Sequence, residues 1–370
     1  MIIIDRYIAS NYLKGMVPVM LLLLALFSFL ALAEELEEVG KGTFRLIDAF
    51  LVVFYTSPRR IVDLMPVTAL LGGLMGLGAM ANHQELVAAR AAGLSKARMV
   101  RPVFKATLMV AAFVIVMQSL IIPASERTAS DLRTRSLEAV SIDSGSRLGF
   151  WTRSGENFVH VSDVLFNRVL TGVEIYNTDE NGKLRTLIEA EQATIIGDET
   201  WLLENVTETQ LTGMAASDSH IESISWTNLL SKEQAEVLIL PLEALAPHEL
   251  VLYIRHLRDN GLDTHHFRVV FWKQASIAIA VIAMGLLSLP LLVGSTREIS
   301  ASQRIVLGGV VGIVFYLLQQ MTGNLASLFN LVPSLTVLTP VFVLLALAVI
   351  AQYWQGFGKA KLARKIQRQV

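Results

Sequence analysis

The residues of this chain that could do chemistry fall into a few groups, and most lack the spacing that catalysis demands. Three Gly-Lys pairs, at Gly40, Gly182 and Gly358, have neither the upstream glycine nor the following Ser or Thr that cradle a phosphate and its Mg²⁺. His265 and His266 are adjacent, and neighbours on a helix point to different faces, so they do not readily chelate one ion. There is no Gly-x-Ser-x-Gly elbow and no His-Glu-x-x-His helix, and without cysteine there is neither a disulfide nor a Cys-based metal site. A self-contained enzyme is not expected, nor a cofactor bound by this chain.

Two groups remain. Glu34, Glu35, Glu37 and Glu38 crowd the end of an apolar run. The other group is His83-Gln84-Glu85-Leu86-Val87-Ala88-Ala89-Arg90-Ala91-Ala92-Gly93-Leu94-Ser95, which reads as a short helix with Gly93 suited to a left-handed C′ position. On such a helix Leu86, Ala89 and Ala92 or Gly93 share a small, smooth face. That face either seats in a groove of another protein or rests on lipid headgroups.

The elements that must position these residues are membrane spans. Of 370 residues 53% are hydrophobic and 17% charged, against about 25% charged in a soluble domain; mean hydropathy is +0.52. Residues 15–33, 64–84, 106–125, 274–296 and 305–358 contain no Asp, Glu, Lys or Arg. A helix needs about 20 apolar residues to cross a bilayer core. The first four windows therefore hold one span each, and the fifth holds two, split between Asn324 and Pro333. The first run, ending in Ala31-Leu32-Ala33, resembles a signal peptide but is longer than the usual cleavable segment, and is read as a span.

Lys and Arg favour the short cytoplasmic loops. With the N-terminus inside, fourteen basic residues, among them Arg6, Arg98, Arg101 and Arg364, lie on the inner side against Asp5, Glu85 and Glu298. Both termini are thus expected in the cytoplasm. The segment 126–263 then lies outside with 23 acidic and 11 basic residues, a balance unsuited to nucleic acid. Its pattern is short strands and turns: Thr171–Asn177, an Asn181-Gly182 hairpin, Leu184–Ile196, a Gly197-Asp198 turn and Trp201–Leu211. This suggests a sandwich or jelly roll with Val173, Ile175, Leu184, Ile188, Trp201 and Leu203 inside, followed by a short helix returning to the membrane. The expected division is 1–125, 126–263 and 264–370.

Inside the spans the polar candidates are Gln118, Gln274, Gln319 and Gln320, without carboxylates, which weakens a proton- or sodium-coupled carrier. Gly72-x-x-x-Gly76 and Gly308-x-x-x-Gly312 favour close helix association.

The run PVTALLGGLMGLGAMANHQELVAARAAGLS resembles the signature of the lipopolysaccharide-export permease family, LptF and LptG. The resemblance extends to Asp5-Arg6-Tyr7, to IYNTDENGKLR in the insert and to Gly312-Ile313-Val314-Phe315-Tyr316. Asp5-Arg6-Tyr7-Ile8 and the Pro333…Pro340 end are closer to the LptG branch. The resemblance implies six transmembrane helices with a periplasmic β-jellyroll inserted between helices 3 and 4, in a bacterial inner membrane. It implies a permease subunit of an ABC transporter that extracts lipopolysaccharide and passes it to a periplasmic β-jellyroll bridge. The implied partners are an LptF-like permease in a heterodimer, an LptB-like ATPase dimer that holds ATP and Mg, an LptC-like periplasmic protein, and lipopolysaccharide itself. Carried over by position, Glu85, Leu86, Ala89, Arg90 and Gly93 couple to the ATPase. Arg59 and Arg133 meet lipid phosphates, and Trp201 and Leu203 lie on the lipid's exit path. The sequence departs from the pattern at Ala31, where a base is expected, and at Glu34, Glu35, Glu37 and Glu38. These carboxylates form a solvated helix end, reach phosphate through divalent cations, or pair with a partner's bases. A mechanotransmitting ABC permease and a membrane scaffold for an extracytoplasmic assembly remain alternatives.

Overall fold

The computed structural model describes residues 2–93, 96–144, 150–154, 157–165, 169–178, 183–196, 200–212, 215–227, 242, 245–259, 261–294 and 301–366. Among them, six helices are long and apolar enough to span a membrane, as the charge-free windows require. They are α1 (Ile2–Leu36) and α2 (Leu46–Asn82), then a composite third span. The third span joins α4 (Lys96–Val116), a π-helical turn (Met117–Ile121) and α5 (Ile122–Ser144). The last three are α7 (His265–Gly294), α8 (Ala301–Leu328) and α9 (Pro333–Ile366). Between spans two and three sits α3 (Glu85–Ala91). Between spans three and four come six strands and α6 (Pro247–Asp259). The chain divides into two compact units. One comprises Met1–Leu30, Ser57–Ile122 and His265–Val370, the other Ala31–Thr56 and Pro123–Thr264.

In the first unit α2 and α7 are the inner helices and α1 and α8 the outer ones. Two thirds of the most apolar stretch of α2 and of α7 is buried, against 17% for α1 and for α8. Lipid tails are as apolar as Leu, so close packing rather than the hydrophobic effect joins helices here. Gly15 of α1 lies directly against Gly72 and Gly76 of α2, and a Cβ on Gly76 would collide with the carbonyl oxygen of Asn11. Beside this crossing Tyr12 is fully buried and donates its hydroxyl to the Ala69 carbonyl oxygen at 2.9 Å. Gly308 and Gly312 receive Leu71, Leu74 and Val67 of α2 in the same way. Both small-residue motifs are therefore used inside the chain.

The helix ends carry ordinary stop signals. Asn330 has φ +48° after α8, and Leu331 N–H closes onto the Ala326 carbonyl, so α9 can restart at Pro333. At α6 Pro247 occupies the first helical position, and Glu249 reaches back to the Ala246 N–H at 2.9 Å. Gly261 (φ +70°) closes the other end, with its N–H on Arg258 and that of Leu262 on Leu257.

In the second unit β1 (Phe150–Ser154), β2 (Asn157–Leu165), β3 (Val169–Thr178), β4 (Leu184–Ile195), β5 (Thr200–Thr212) and β6 (Ala215–Thr227) form one antiparallel sheet. Each strand pairs with the next in chain order, so the described strands make an up-and-down meander. Both expected turns, at Asn181-Gly182 and Gly197-Asp198, lie outside the described residues. An apolar row crosses the sheet through Val161, Val173, Ala190, Val206 and Ile221. A second row, Leu170, Ala193, Leu203 and Ile224, packs in the same core although it stands three residues away on β3, β4 and β5. Strict alternation would put those rows on opposite faces. Gly172 (φ +59°) and Asn205 (φ +55°) lie in the gap between them on β3 and β5, and their left-handed backbone turns both rows inward.

Replacing Gly76 with Ala forces the α1 and α2 backbones apart and lowers stability by about 1–3 kcal/mol. At Gly78 the new Cβ meets Leu292 Cδ1 at 3.9 Å, and Gly78→Ala is neutral or slightly stabilising. Thermal unfolding of the two purified variants in one detergent checks the contrast.

Candidate functional site

The site begins where α2 ends. Gln84 takes φ +59° and reverses the chain just past Asn82, and its carbonyl accepts the Ala88 N–H, the first hydrogen bond of α3. Gly93, at φ +94°, holds the expected left-handed C′ position two residues beyond Ala91. The result is a seven-residue helix set between two spans.

Its faces are not divided as the propensity reading suggests. Leu86 is 6% exposed and belongs to the chain's own core with Ile8, Met80, Met99 and Val103, and Ala89 packs against that core. These two residues hold α3 to the spans. Ala88, Ala91, Ala92 and Gly93 form the exposed side. Glu85, half-buried at the first helical position, accepts a hydrogen bond on Oε2 from the Tyr7 hydroxyl at 2.9 Å. Nearby, Arg304 of α8 is buried and donates to Asn82 Oδ1 at 3.2 Å, fastening that helix to the end of α2.

The candidate lipid residues divide between the two units. Arg59 belongs to the first; it is half-buried on α2 and already engaged within the protein. Arg133, Glu34 and Glu35 belong to the second. There Arg133 Nη2 is ion-paired with Glu35 Oε1, joining α5 to the end of α1. Glu35 is 7% exposed and its other oxygen has no hydrogen-bond partner, while Arg133 is half exposed. Glu38 pairs with Lys41 at 3.0 Å. Two of the four clustered carboxylates thus have bases within their own chain, and Glu34 and Glu37 are exposed. Around the pair, Phe44, Ala49 and Val52 pack with Leu32 and Leu132, and the Thr43 N–H donates to Ser136 O at 2.8 Å. These contacts lash the loop between α1 and α2 onto α5. Trp201 and Leu203 are fully buried in the core of the sheet.

Sequence reasoning missed three connections. Tyr7 stood only in a motif of resemblance, with no sign that it reaches a residue 78 positions away. Arg127 pairs with Glu249 at 2.5 Å and joins α5 to α6; the cap pattern at Pro247 marks the helix but not its partner. On the outer side of the sheet, Trp151 stacks on His160 and Tyr176 with ring centroids 4.5 and 5.6 Å away. The Tyr176 hydroxyl donates to Glu174 at 2.7 Å. That bond, with desolvation and the charges of Glu174 and Glu189, pushes its pKa up to about 12. This clasp holds the short edge strand β1. Two of the four intramembrane glutamines also find structural work. Gln118, in the π-helical turn, donates to the Gln274 carbonyl at 3.2 Å, and Gln319 donates to Ser276 Oγ.

The profile of the family described as lipopolysaccharide export system permease LptF/LptG matches residues 6–354. The lipopolysaccharide export system permease protein LptG of Haemophilus influenzae is 30% identical over 351 residues, which are 93% of this chain and 98% of that one. The protein of the same name from Escherichia coli strain K12 is 27% identical over 340 residues, 91% of this chain and 94% of that one.

Arg133→Ala strands the Glu35 carboxylate in a buried place and destabilises the second unit by about 1–3 kcal/mol. Adding Glu35→Gln recovers part of that loss, because the remaining neutral amide is cheaper to bury. Amide hydrogen exchange over residues 31–56 reads both changes.

Proposed function

The chain belongs to the lipopolysaccharide export permease family LptF/LptG, and on that footing we propose that it is the LptG-type membrane half of an ATP-driven transporter that lifts lipopolysaccharide out of the bacterial inner membrane. Residues 1–125 and 264–370 form its half of a lipid-sized cavity. Residues 126–263 form a periplasmic domain that hands the lipid to a β-jellyroll bridge. Both termini are cytoplasmic in this reading, which the concentration of Lys and Arg in the shorter loops supports.

The observation that carries the proposal is α3. A short helix held between two spans by Leu86 and Ala89, with Ala88, Ala91, Ala92 and Gly93 exposed, is suited to seating in a groove of a soluble subunit. Leu86 and Ala89 anchor the helix, Glu85 offers a carboxylate to a base of that subunit, and Arg90 joins the contact. The sequence has no phosphate-binding loop, so ATP and Mg are held by an LptB-like ATPase dimer. An LptF-like permease completes the cavity, and an LptC-like protein receives the lipid.

Arg59 in the first unit and Arg133 in the second are each proposed to meet a lipid phosphate. Arg133 does so from within its pair with Glu35, which fixes the guanidinium and leaves half of its surface exposed. Trp201 and Leu203 are proposed to touch acyl chains, and their burial requires the sheet to open as lipid passes.

Purification of the chain from its native membrane is expected to bring an ATPase dimer and a second permease with it. In that complex Glu85→Arg replaces an attraction with a repulsion at the docking contact, at a cost of about 2–5 kcal/mol. Lipopolysaccharide release into a periplasmic acceptor should fall at least about ten-fold. A chain that purifies without an ATPase, or whose release survives Glu85→Arg, does not have this function.

A further inference from the structure

We propose that Tyr7 is a positioning residue of the coupling site, whose hydroxyl holds the Glu85 carboxylate and so ties the inner end of α1 to α3. The inference rests on the reading of α3 as the helix that receives the ATPase, and deepens it.

Among the described residues, a hydrogen bond joins α1 to α3 and both helices contribute to one apolar cluster. Tyr7 donates to Glu85 Oε2 at 2.9 Å. The next residue, Ile8, is almost fully buried in the same apolar cluster as Leu86, Met80 and Met99. The chain itself joins α3 to α2 through the left-handed Gln84. A displacement of α3 therefore reaches the two spans by separate routes: through the backbone to α2, and through the Tyr7 hydroxyl to α1. The routes meet again above, where Tyr12 and Gly15 fix α1 on Ala69, Gly72 and Gly76 of α2. Because no Cβ separates the helices at that crossing, α1 cannot slide there without parting two backbones. Pulled at its inner end and held at the crossing, α1 responds as a lever.

The consequence is largest for α1 because it is an outer span, with 17% of its most apolar stretch buried. Its outward face is free to exchange contacts with lipid or with a neighbouring permease helix. The Glu85 carboxylate has two oxygens. Tyr7 takes Oε2, which fixes the rotamer and leaves Oε1 for a cation of the ATPase. The phenol is itself about half exposed, so the bond lies beside the surface on which a subunit docks, not deep within the bundle.

Tyr7→Phe removes the hydroxyl and keeps the ring. It is to be measured in the complete permease–ATPase complex, in vesicles of phospholipid and lipopolysaccharide, as lipopolysaccharide released per ATP hydrolysed. The expected result is a fall of about ten-fold in that ratio, the weight of one hydrogen bond to a charged group, with ATPase co-purification unchanged. The fall should persist in a Glu85→Gln background, which keeps an acceptor, and vanish in Glu85→Ala. Thermal unfolding of the same variants in detergent reads the bond without reference to transport, and Tyr7→Phe and Glu85→Ala should be non-additive there as well. A wild-type ratio in Tyr7→Phe, or an equal fall in the Glu85→Ala background, overturns the role of Tyr7 and leaves the docking role of α3 standing. If Glu85→Ala alone leaves release intact, the reading of α3 fails and the positioning role falls with it, even where unfolding shows the bond.

Discussion

Where α1 crosses α2 the two backbones touch, because Gly15, Gly72 and Gly76 leave nothing between them. In a bilayer no water is released when two helices meet, so contact must come from close van der Waals fit and from polar groups that have nowhere else to bond. Tyr12 supplies the second requirement by placing its hydroxyl on the Ala69 carbonyl. This crossing fixes α1 on α2. It lets α2 serve as a central post, with Gly308 and Gly312 of α8 on another of its faces. It also sets where the N-terminal end of α1 lies, and hence that Tyr7 can reach Glu85.

The second unit is held by a different kind of interaction. Its segments from α1, α2 and α5 are clasped by the Arg133–Glu35 pair, by Thr43 on Ser136 and by a small core around Phe44. A half-exposed guanidinium on a buried carboxylate fixes geometry more than it adds stability, since desolvating Glu35 offsets much of the attraction. The acidic cluster looked anomalous for a surface proposed to meet phosphate. Pairing within the chain removes part of the anomaly, because Glu35 and Glu38 are committed to Arg133 and Lys41.

The β domain shows how an alternating pattern can be right locally and misleading over a whole strand. Trp201 and Leu203 obey the two-residue period, and Val206 breaks it. The break is legible only once Asn205 is known to adopt a left-handed conformation, in register with a comparable break at Gly172. The strand β6, with the sequence AASDSHIESISWT, is too polar to announce itself and is defined by its pairing with β5.

The sequence by itself determined the six spans, the place of the β domain between the third and fourth, the helix at Glu85 and the left-handed Gly93. These depend on local quantities: the length of uncharged runs, the period of apolar residues and the absence of a Cβ at one position. Family membership was legible for the same reason, since its marks are contiguous motifs. Only the tertiary structure decided that the glycine motifs serve contacts within the chain, that Leu86 faces inward, that Arg133 is engaged by Glu35 and that Tyr7 meets Glu85. Each of these joins residues far apart in the chain. A helix pattern fixes which residues share a face, but the neighbour that covers that face is chosen by how the whole bundle packs.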